Sequence, residues 1–317
     1  MNKYYPSYYK NFLCSADKCP DSCCKSWEIV IDDETYSRYL EVKSAFGEKI
    51  RKFITTDEEG DRCFILQNKR CPFLNENNLC DIHIQLGEEF TSEVCRLHPR
   101  FIEEYDGFTE NSLSLSCPEA ASLITSAQFS PVTYPTPEYN GDDEVLSILI
   151  ASRSELLAEN LHYSDYLNKL TAVAARDEML INSFIVDKDF IPSVSDIKKY
   201  ISLLRAQCEI LCDGWKERLI RAEKGRVSDK ELYDFISDNE MQLLNISRYF
   251  IYRYYLKAVN DLDVYSRALF IIYSVFTAAL IALTDGISVT QAARLYSKET
   301  EHSTENIDII IDGISEY

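Results

Sequence analysis

Cysteines are concentrated in the first third of the chain: nine of the 11 lie between Cys14 and Cys117, in a sequence of 317 residues. The first ten residues lack the apolar stretch and cleavage site of a secretory signal, so we expect a cytoplasmic protein. Disulfides do not persist in a reducing cytosol, and the odd cysteine count also argues against a secreted, disulfide-rich chain. The clustered thiols are therefore expected to bind a metal.

Eight of these thiols fall into two groups along the sequence. Thiolates spaced a few residues apart can converge on one ion, so they permit two four-coordinate sites, or one four-thiolate iron–sulfur cluster and a zinc ion. The sequence leaves these alternatives open. The predicted metal ligands are Cys14, Cys19, Cys23 and Cys24 in the first group and Cys71, Cys80, Cys95 and Cys117 in the second.

Adjacent Cys23 and Cys24 point in different directions on most backbones, so one of them is expected to bridge or to serve a second site. His83 and His98 lie near thiols and are further candidate ligands, although a single histidine is more often structural. The other cysteines are expected to be ordinary residues, one isolated and two sharing a face of a predicted helix: Cys63, Cys208 and Cys212.

The composition and the prolines predict a folded chain of two parts. Hydrophobic residues make up 46% of the sequence, which is ample for a core, and a chain of this length usually forms more than one unit. Prolines cluster in QFSPVTYPTPEYNGDDE, which indicates a boundary. We expect a Cys-rich metal or iron–sulfur binding domain over 1–127, a linker over 128–142 and a helical bundle over 143–317. The fold class is mainly α, with an irregular N-terminal region before the bundle.

Apolar periodicity and capping residues predict six or seven helices in the second part. The run Ala268–Leu283 is shorter than the ~20 residues needed to cross a bilayer, so we expect a buried core helix and no membrane span. The first part is expected to hold a strand over 27–31, a helix from Asp32 or Asp33 to Gly47, and a helix opening at Pro118. The later helices are expected at about 143–161, 164–184, 195–225, after a Ser228–Glu231 capping box, and at 265–283, 290–298 and beyond 303.

The net charge of −19 at pH 7 argues against a nucleic-acid binder, because affinity for phosphate needs clustered Lys and Arg side chains. A neutral or basic protein is the expected kind of partner.

Several strings of the sequence resemble the flagellin lysine N-methylase family, which is related to the broader set of CxxCxxCC zinc- or iron-chelating proteins. The resemblance implies a protein-lysine N-methyltransferase that transfers methyl groups from S-adenosylmethionine to surface lysines of flagellin and carries a four-iron iron–sulfur cluster. The strings are FLCSADKCPDSCCKSWEIVIDDETYSRY, CPFL, LGE, CRLHPR, LSLSCPEAA and, in the second part, ISRYFIYRYYLKAV.

Two common signatures of enzymes that use this methyl donor are missing. The glycines never form a GxGxG after a strand, so a Rossmann-type loop for the donor is absent from the sequence. Cys19 and Cys23 match the first spacing of the radical CxxxCxxC motif, but Ser26 occupies its third position. The donor is therefore expected to bind in another way.

An enzyme of this kind must deprotonate lysine, whose ordinary pKa is ~10.4. Burial next to a carboxylate-lined pocket achieves this when desolvation of the ammonium group outweighs its attraction to the carboxylates. The family-like strings offer catalytic candidates, the acids Glu88 and Glu119. They also offer Arg96 and Arg100, whose guanidinium groups could bind the donor's carboxylate. For each of these, and for Glu110, a structural ion pair or helix cap is the more ordinary role. The alternative function is a non-catalytic zinc- or iron-chelating or electron-transfer module, although a large bundle exceeds what such a carrier needs.

Overall fold

The computed structural model describes residues 1–57, 60–126, 132–158, 161–186 and 190–314, and these residues are mainly helical. The predicted fold class, a Cys-rich irregular region followed by helices, is confirmed. The first part holds strands β1 (Asn2–Tyr4), β2 (Ile54–Thr56), β3 (Arg62–Phe64), β4 (Arg100–Tyr105) and β5 (Phe108–Leu113), and helices α1 (Asp33–Glu41), α2 (Ala45–Lys52), α3 (Asp81–Leu86), α4 (Glu93–Leu97) and α5 (Pro118–Thr125). The second part holds α6 (Glu144–Ala158), α7 (Tyr163–Asn182), α8 (Val194–Gln207), α9 (Trp215–Lys224), α10 (Asp229–Asp238), α11 (Glu240–Tyr254), α12 (Val264–Asp285), α13 (Val289–Thr300) and α14 (Thr304–Ile314).

Short polar side chains begin several of these helices, because they accept the N–H groups that a first turn leaves unpaired. Asp32 caps α1 and Ser44 caps α2. The predicted capping box of Ser228 and Glu231 is confirmed at the start of α10. Pro118 opens α5, as predicted.

Two predictions in the first part are wrong. The expected strand over 27–31 reduces to a single bridge between Val30 and Cys63. The helix expected to stop at Gly47 ends earlier, at Glu41, because Ser44 starts a new helix that contains Gly47 in its first turn.

The predicted helix over 195–225 is in fact two helices, α8 and α9. Cys208 ends α8 as its C-terminal cap, and Gly214, with a φ of +79°, leads into α9. Between them, the N–H groups of Leu211 and Cys212 donate to the Glu299 carboxylate over 2.9 and 2.7 Å. Cys208 and Cys212 therefore do not share one face of a helix, contrary to the prediction.

The sequence did not predict a three-stranded sheet in the order β1, β5, β4. Strand β1 runs parallel to β5, and β4 pairs antiparallel with β5 from Arg100 opposite Leu113 to Tyr105 opposite Phe108. Every residue of β5 is buried. This sheet joins the first residues of the chain to the helical part.

Among the described residues, the buried side chains form two hydrophobic cores. The larger core surrounds α12 and also takes in residues of β5 and α5, which precede the predicted linker. The smaller core lies between α1, α2 and the β2–β3 hairpin, and its members are Ile29, Ile31, Tyr39, Ile50, Phe64, Cys71, Phe73, Leu74 and Ile82. The predicted boundary falls partly on 127–131, outside the described residues, so the division at that point remains a prediction.

Helix α12 occupies the centre of the bundle, in contact with α7, α8, α9, α10, α11, α13 and α14. Among the described helices it alone is apolar and long enough to cross a membrane, with a mean hydropathy of 1.9 over 18 residues, but 83% of that window is buried inside the protein. The prediction of a buried core helix is confirmed.

A buried ion pair attaches the sheet to the bundle. Glu110 on β5 accepts hydrogen bonds from both terminal nitrogens of Arg153 on α6, one of them at 2.7 Å, and the side chains are 3% and 1% exposed. Arg153 also donates to the Tyr252 carbonyl on α11 over 2.9 Å. Glu110 therefore has the structural role that its position in the sequence favoured.

We predict that Glu110→Gln lowers the free energy of unfolding by about 3 to 5 kcal/mol, because it leaves the Arg153 guanidinium buried without its counter-charge. Urea denaturation followed by circular dichroism measures this. Asp234→Asn, which breaks the exposed Lys230–Asp234 pair, is the control and is expected to leave the urea midpoint unchanged. Equal midpoints for Glu110→Gln and the parent would contradict the prediction.

Candidate metal centre

All eleven cysteines are free thiols, and the eight predicted ligands lie outside the helices and strands, except Cys95 in α4. Cys80 precedes α3 and Cys117 precedes α5 as their N-terminal caps, and Cys95 lies in α4. Cys19 closes a short 3-10 turn, Ala16–Lys18. The sulfur atoms of Cys80 and Cys117 face N–H groups of the helical turn that follows each of them, an arrangement that stabilises a thiolate.

One set of thiols lies at the smaller core. The Cys71 N–H donates to the Cys24 carbonyl over 2.9 Å, which holds these two residues side by side. Leu74 forms a β-bridge with Cys80, and the Leu74 N–H donates a hydrogen bond to the Cys71 carbonyl. Electrostatic interactions link Cys24 to Cys71, Cys80 and Cys95, and all four pack against this core.

A second set lies where the first loop meets the larger core. Cys117, buried in that core, interacts electrostatically with Cys14 and Cys19. Cys23 interacts most strongly with Cys24, and then with Cys95 and Cys14. Cys24 therefore interacts with members of the second group along the sequence, and Cys117 interacts with members of the first.

Burial makes most of these thiols poor acids. It raises the pKa of Cys95 to about 12 and also raises the pKa values of Cys71, Cys80 and Cys117. Cys24 differs, because a hydrogen bond from the Cys23 thiol lowers its pKa to about 7. A cation that binds between such thiols supplies the positive charge that their ionised form lacks in the metal-free protein.

The first loop is fastened to the bundle by charge. The Asp21 carboxylate accepts hydrogen bonds from Arg294 over 2.7 Å and from Lys298 over 2.8 Å, both on α13. Burial alone would raise the pKa of Asp21, but these two cations outweigh it and lower the pKa. The Cys19 thiol donates to the Asp21 carbonyl, so this anchor also fixes a member of the second set.

An aromatic stack adds to this anchor. The Trp27 ring lies parallel to His302, with centroids 4.3 Å apart, and His98 lies 5.5 Å from Trp27. The His302 Nε2 is 2.7 Å from the Ser116 hydroxyl, next to Cys117. Sequence reasoning missed His302, because it comes from the connection between α13 and α14, 186 positions after Ser116.

A family model for a zinc- or iron-chelating domain with the CxxCxxCC signature matches residues 13–117, which contain all eight thiols. The flagellar biosynthetic protein FliU of Salmonella muenchen is 32% identical over an alignment of 133 positions, which covers 38% of this chain and 74% of FliU. The chain belongs to the FliU and lysine-N-methylase family.

Two lysine-N-methylases of this family, from Salmonella choleraesuis and Salmonella typhimurium, are also 32% identical over 133 positions. The matching part covers 31% of each, so the chain spans about a third of the length of these relatives. No solved structure matches the chain. The match to the zinc- or iron-chelating domain supports metal binding by the first part of this protein.

The acidic candidates within the family-like strings have ordinary surroundings. Glu88 is exposed at the start of a short 3-10 turn. Glu119 lies in the first turn of α5, where its backbone N–H faces Cys117. His83, a candidate ligand, is exposed on α3, whereas the candidate His98 is half-buried beside Trp27.

The basic candidates contact a backbone carbonyl and an aromatic ring. The Arg96 guanidinium donates to the Thr91 carbonyl, just before α4. The Arg100 guanidinium lies 5.2 Å from the centroid of the Phe12 ring. A catalytic role for Glu88, Arg96, Arg100 or Glu119 remains a prediction.

A carboxylate-lined cavity of about 330 Å³ lies at the turn between β4 and β5. Within it, the Lys257 ammonium is 2.8 Å from Glu103. Burial lowers the pKa of Lys257, with a further contribution from Arg253, although the attraction of Glu103 opposes this. The lining residues are Glu103, Glu104, Tyr105, Asp106, Asp143, Leu146, Lys257, Val259 and Asn260.

The two histidines that lie beside Trp27 predict how stability depends on pH. Burial lowers the pKa of His302 to about 3 and that of His98 to about 4. In the unfolded chain both histidines have the ordinary pKa of 6.5, so between these values the unfolded chain binds protons that the folded chain does not. This stability is complete above pH 6.5 and is lost as the pH falls toward these values, by about 1.4 kcal/mol per pH unit for each histidine.

We expect His302→Gln, which keeps a hydrogen-bonding partner for Ser116, to lose less stability than the parent between pH 6.5 and about 4. Urea unfolding across this range is the measurement. His162→Gln is the control, since the His162 side chain is 84% exposed. Parallel losses in His302→Gln and the parent would show that the histidine ring is not held neutral by the fold.

Proposed function

We propose that this protein is a protein-lysine N-methyltransferase that uses S-adenosylmethionine to methylate surface lysines of flagellin, and that it depends on a Cys-ligated iron–sulfur cluster. The observation that carries the proposal is the similarity of the thiol-bearing segment to proteins named lysine-N-methylase and flagellar biosynthetic protein. A cytoplasmic location agrees with this, because flagellin and the methyl donor meet there.

We further propose how the thiols divide between two sites. Cys24, Cys71, Cys80 and Cys95 form one four-thiolate set, supported by their shared position at the smaller core. The other set combines Cys14, Cys19 and Cys117, supported by the electrostatic interactions of Cys117 with Cys14 and Cys19. We assign Cys23 to this set as its fourth member, because it interacts with Cys14 and the first set already has four thiols, although Cys23 also interacts with Cys24 and Cys95. His83 and His98 are not needed for either set.

Sets of four thiols fit both an iron–sulfur cluster and a structural zinc ion. Where a cluster is bound, it supplies electron-transfer chemistry that the side chains themselves lack. The chain's own residues position the thiols. The Cys71 N–H donates to the Cys24 carbonyl, and the Ser92 hydroxyl lies 3.1 Å from the Cys95 sulfur. Asp21 fixes the loop that carries Cys19, whose thiol donates to the Asp21 carbonyl.

The carboxylate-lined cavity supports a lysine substrate. Methyl transfer needs the neutral amine, so the site must favour loss of the ammonium proton. Lys257 is an internal example, since burial and Arg253 lower its pKa despite the contact with Glu103. A substrate lysine that enters this cavity meets the same balance.

The thiol partition predicts the metal content of variants. Cys24→Ser and Cys117→Ser should each deplete a different metal site, and the double variant should lose the metal of both, because each removes one ligand of four. Combining Cys24→Ser with Cys71→Ser should cost no more metal than either alone. Elemental analysis of protein purified without oxygen measures this. If Cys24→Ser and Cys117→Ser together lose no more than one of them does, the partition is wrong.

Cluster dependence predicts that Cys71→Ser abolishes methylation of co-expressed flagellin, measured as mass added in methyl steps. The bundle should stay folded, because its core around α12 does not contain Cys71. Circular dichroism checks this helical content. Cys208→Ser, at the end of α8 and outside both thiol sets, is the control and should remain active.

A soluble, metal-free Cys71→Ser protein that still methylates flagellin would reduce the metal site to a scaffold. The alternative function, a zinc- or iron-chelating or electron-transfer module, is favoured by the description of the matching domain. The methylase is expected to bind S-adenosylmethionine, whereas such a module is not. Failure of the holoprotein to bind S-adenosylmethionine in calorimetry, with stoichiometric zinc in a colourless protein, would favour that module.

A further inference from the structure

Outside the eight thiols, one group of possible metal ligands stands out among the described residues. A carboxylate oxygen of Glu28, a carboxylate oxygen of Asp57 and the Cys63 sulfur all lie within 4.8 Å of one another. Cys63 is 2% exposed, whereas Glu28 is exposed and Asp57 is half-buried. The group therefore has a buried sulfur at its floor and oxygens toward solvent.

Strand pairing brings these three residues together. Cys63 is the middle residue of β3, with Thr55 of β2 opposite it on one side and Val30 bridged to it on the other. Asp57 directly follows β2, and Glu28 lies two residues before Val30. Backbone hydrogen bonds between Ile29 and Phe64, between Ile31 and Arg62, and between Asp57 and Asp61 therefore fix the segments that carry the three side chains.

The Asp57 carboxylate is oriented by its own turn. Its Oδ1 accepts the Asp61 N–H over 2.8 Å, and the Asp57 N–H donates to the Asp61 carbonyl over 2.9 Å. Hydrogen bonds of this kind orient a carboxylate ligand before a metal arrives.

The charges around the sulfur are unfavourable without a cation. The charged groups that act most strongly on the Cys63 thiol are Glu28, Asp57 and Asp61, and all of them are acidic. A buried thiol can donate one hydrogen bond to one carboxylate, and this does not compensate for the second carboxylate. A divalent cation between the three atoms would balance both carboxylates and allow the sulfur to ionise.

We propose that Glu28, Asp57 and Cys63 form a third metal site, for a zinc ion, separate from the two thiol sets. One sulfur and two carboxylate oxygens are a donor set that zinc accepts, and the sulfur disfavours magnesium and calcium, which take oxygen ligands. Three protein ligands leave a fourth position for water or for a substrate group. The site stands independently of the methylase proposal.

The test counts zinc ions per chain by native mass spectrometry, on holoprotein incubated with zinc and then freed of excess metal. Glu28→Gln should bind one zinc ion fewer than the parent, because it removes a ligand while its exposed position leaves the fold intact. Glu41→Gln, an equally exposed acid on α1, is the matched control and should bind as many as the parent.

Cobalt supplies a second readout that depends on the sulfur. Cobalt added to the zinc-depleted third site of otherwise loaded protein should give a thiolate-to-metal charge-transfer band, and both Glu28→Gln and Cys63→Ser should weaken it. Should Glu28→Gln retain both the zinc count and the cobalt band of the parent, the proposal fails. The Glu28 and Cys63 side chains would then form a hydrogen-bonded pair and nothing more.

Discussion

The peptide bond between Cys23 and Cys24 constrains the whole first part of the protein. The Cys23 thiol donates a hydrogen bond to the Cys24 sulfur, so these two sulfurs lie side by side. Cys24 packs against the smaller core with Cys80 and Cys95, and Cys23 also interacts electrostatically with Cys95 and Cys14. Under the proposed division of the thiols, the two sets therefore meet at this pair, and a change in the course of this loop affects both of them.

The bundle gives this loop a fixed position. Helix α12 is buried on all sides and holds α13, which presents Arg294 and Lys298 to the Asp21 carboxylate. His302, just beyond α13, stacks on Trp27 and reaches Ser116. Because α12 is deeply buried, α13 has a fixed position, and so do its residues that contact the thiol-bearing loop. This anchoring gives a reason for joining a metal-binding segment to a large bundle. A bare electron carrier does not need such an anchor.

The sequence predicted the features that depend on local pattern, and it missed those that depend on pairing between distant segments. The start of α5 at Pro118, the Ser228–Glu231 capping box and the buried α12 follow from neighbouring residues, and the structure has them in place. The interactions of Cys24 with Cys71 and Cys80, and of Cys117 with Cys14, do not, because they arise where distant segments pack together. The same holds for His302, for the sheet that joins β1 to β5, and for Cys63, which looked isolated until β2 and β3 paired around it.

In the proposed lysine methylation, the carboxylate-lined cavity has two tasks that oppose each other. An ammonium group is attracted by carboxylates, but the same attraction raises its pKa and preserves the proton that methyl transfer must remove. In this cavity, Glu104, Asp106 and Asp143 are exposed at the mouth, whereas Lys257 is partly buried and has a lowered pKa. A lysine approaching from solvent would meet the attraction first and the desolvation afterwards. The order of these environments therefore favours loss of the ammonium proton at the buried end of the path over loss at its mouth.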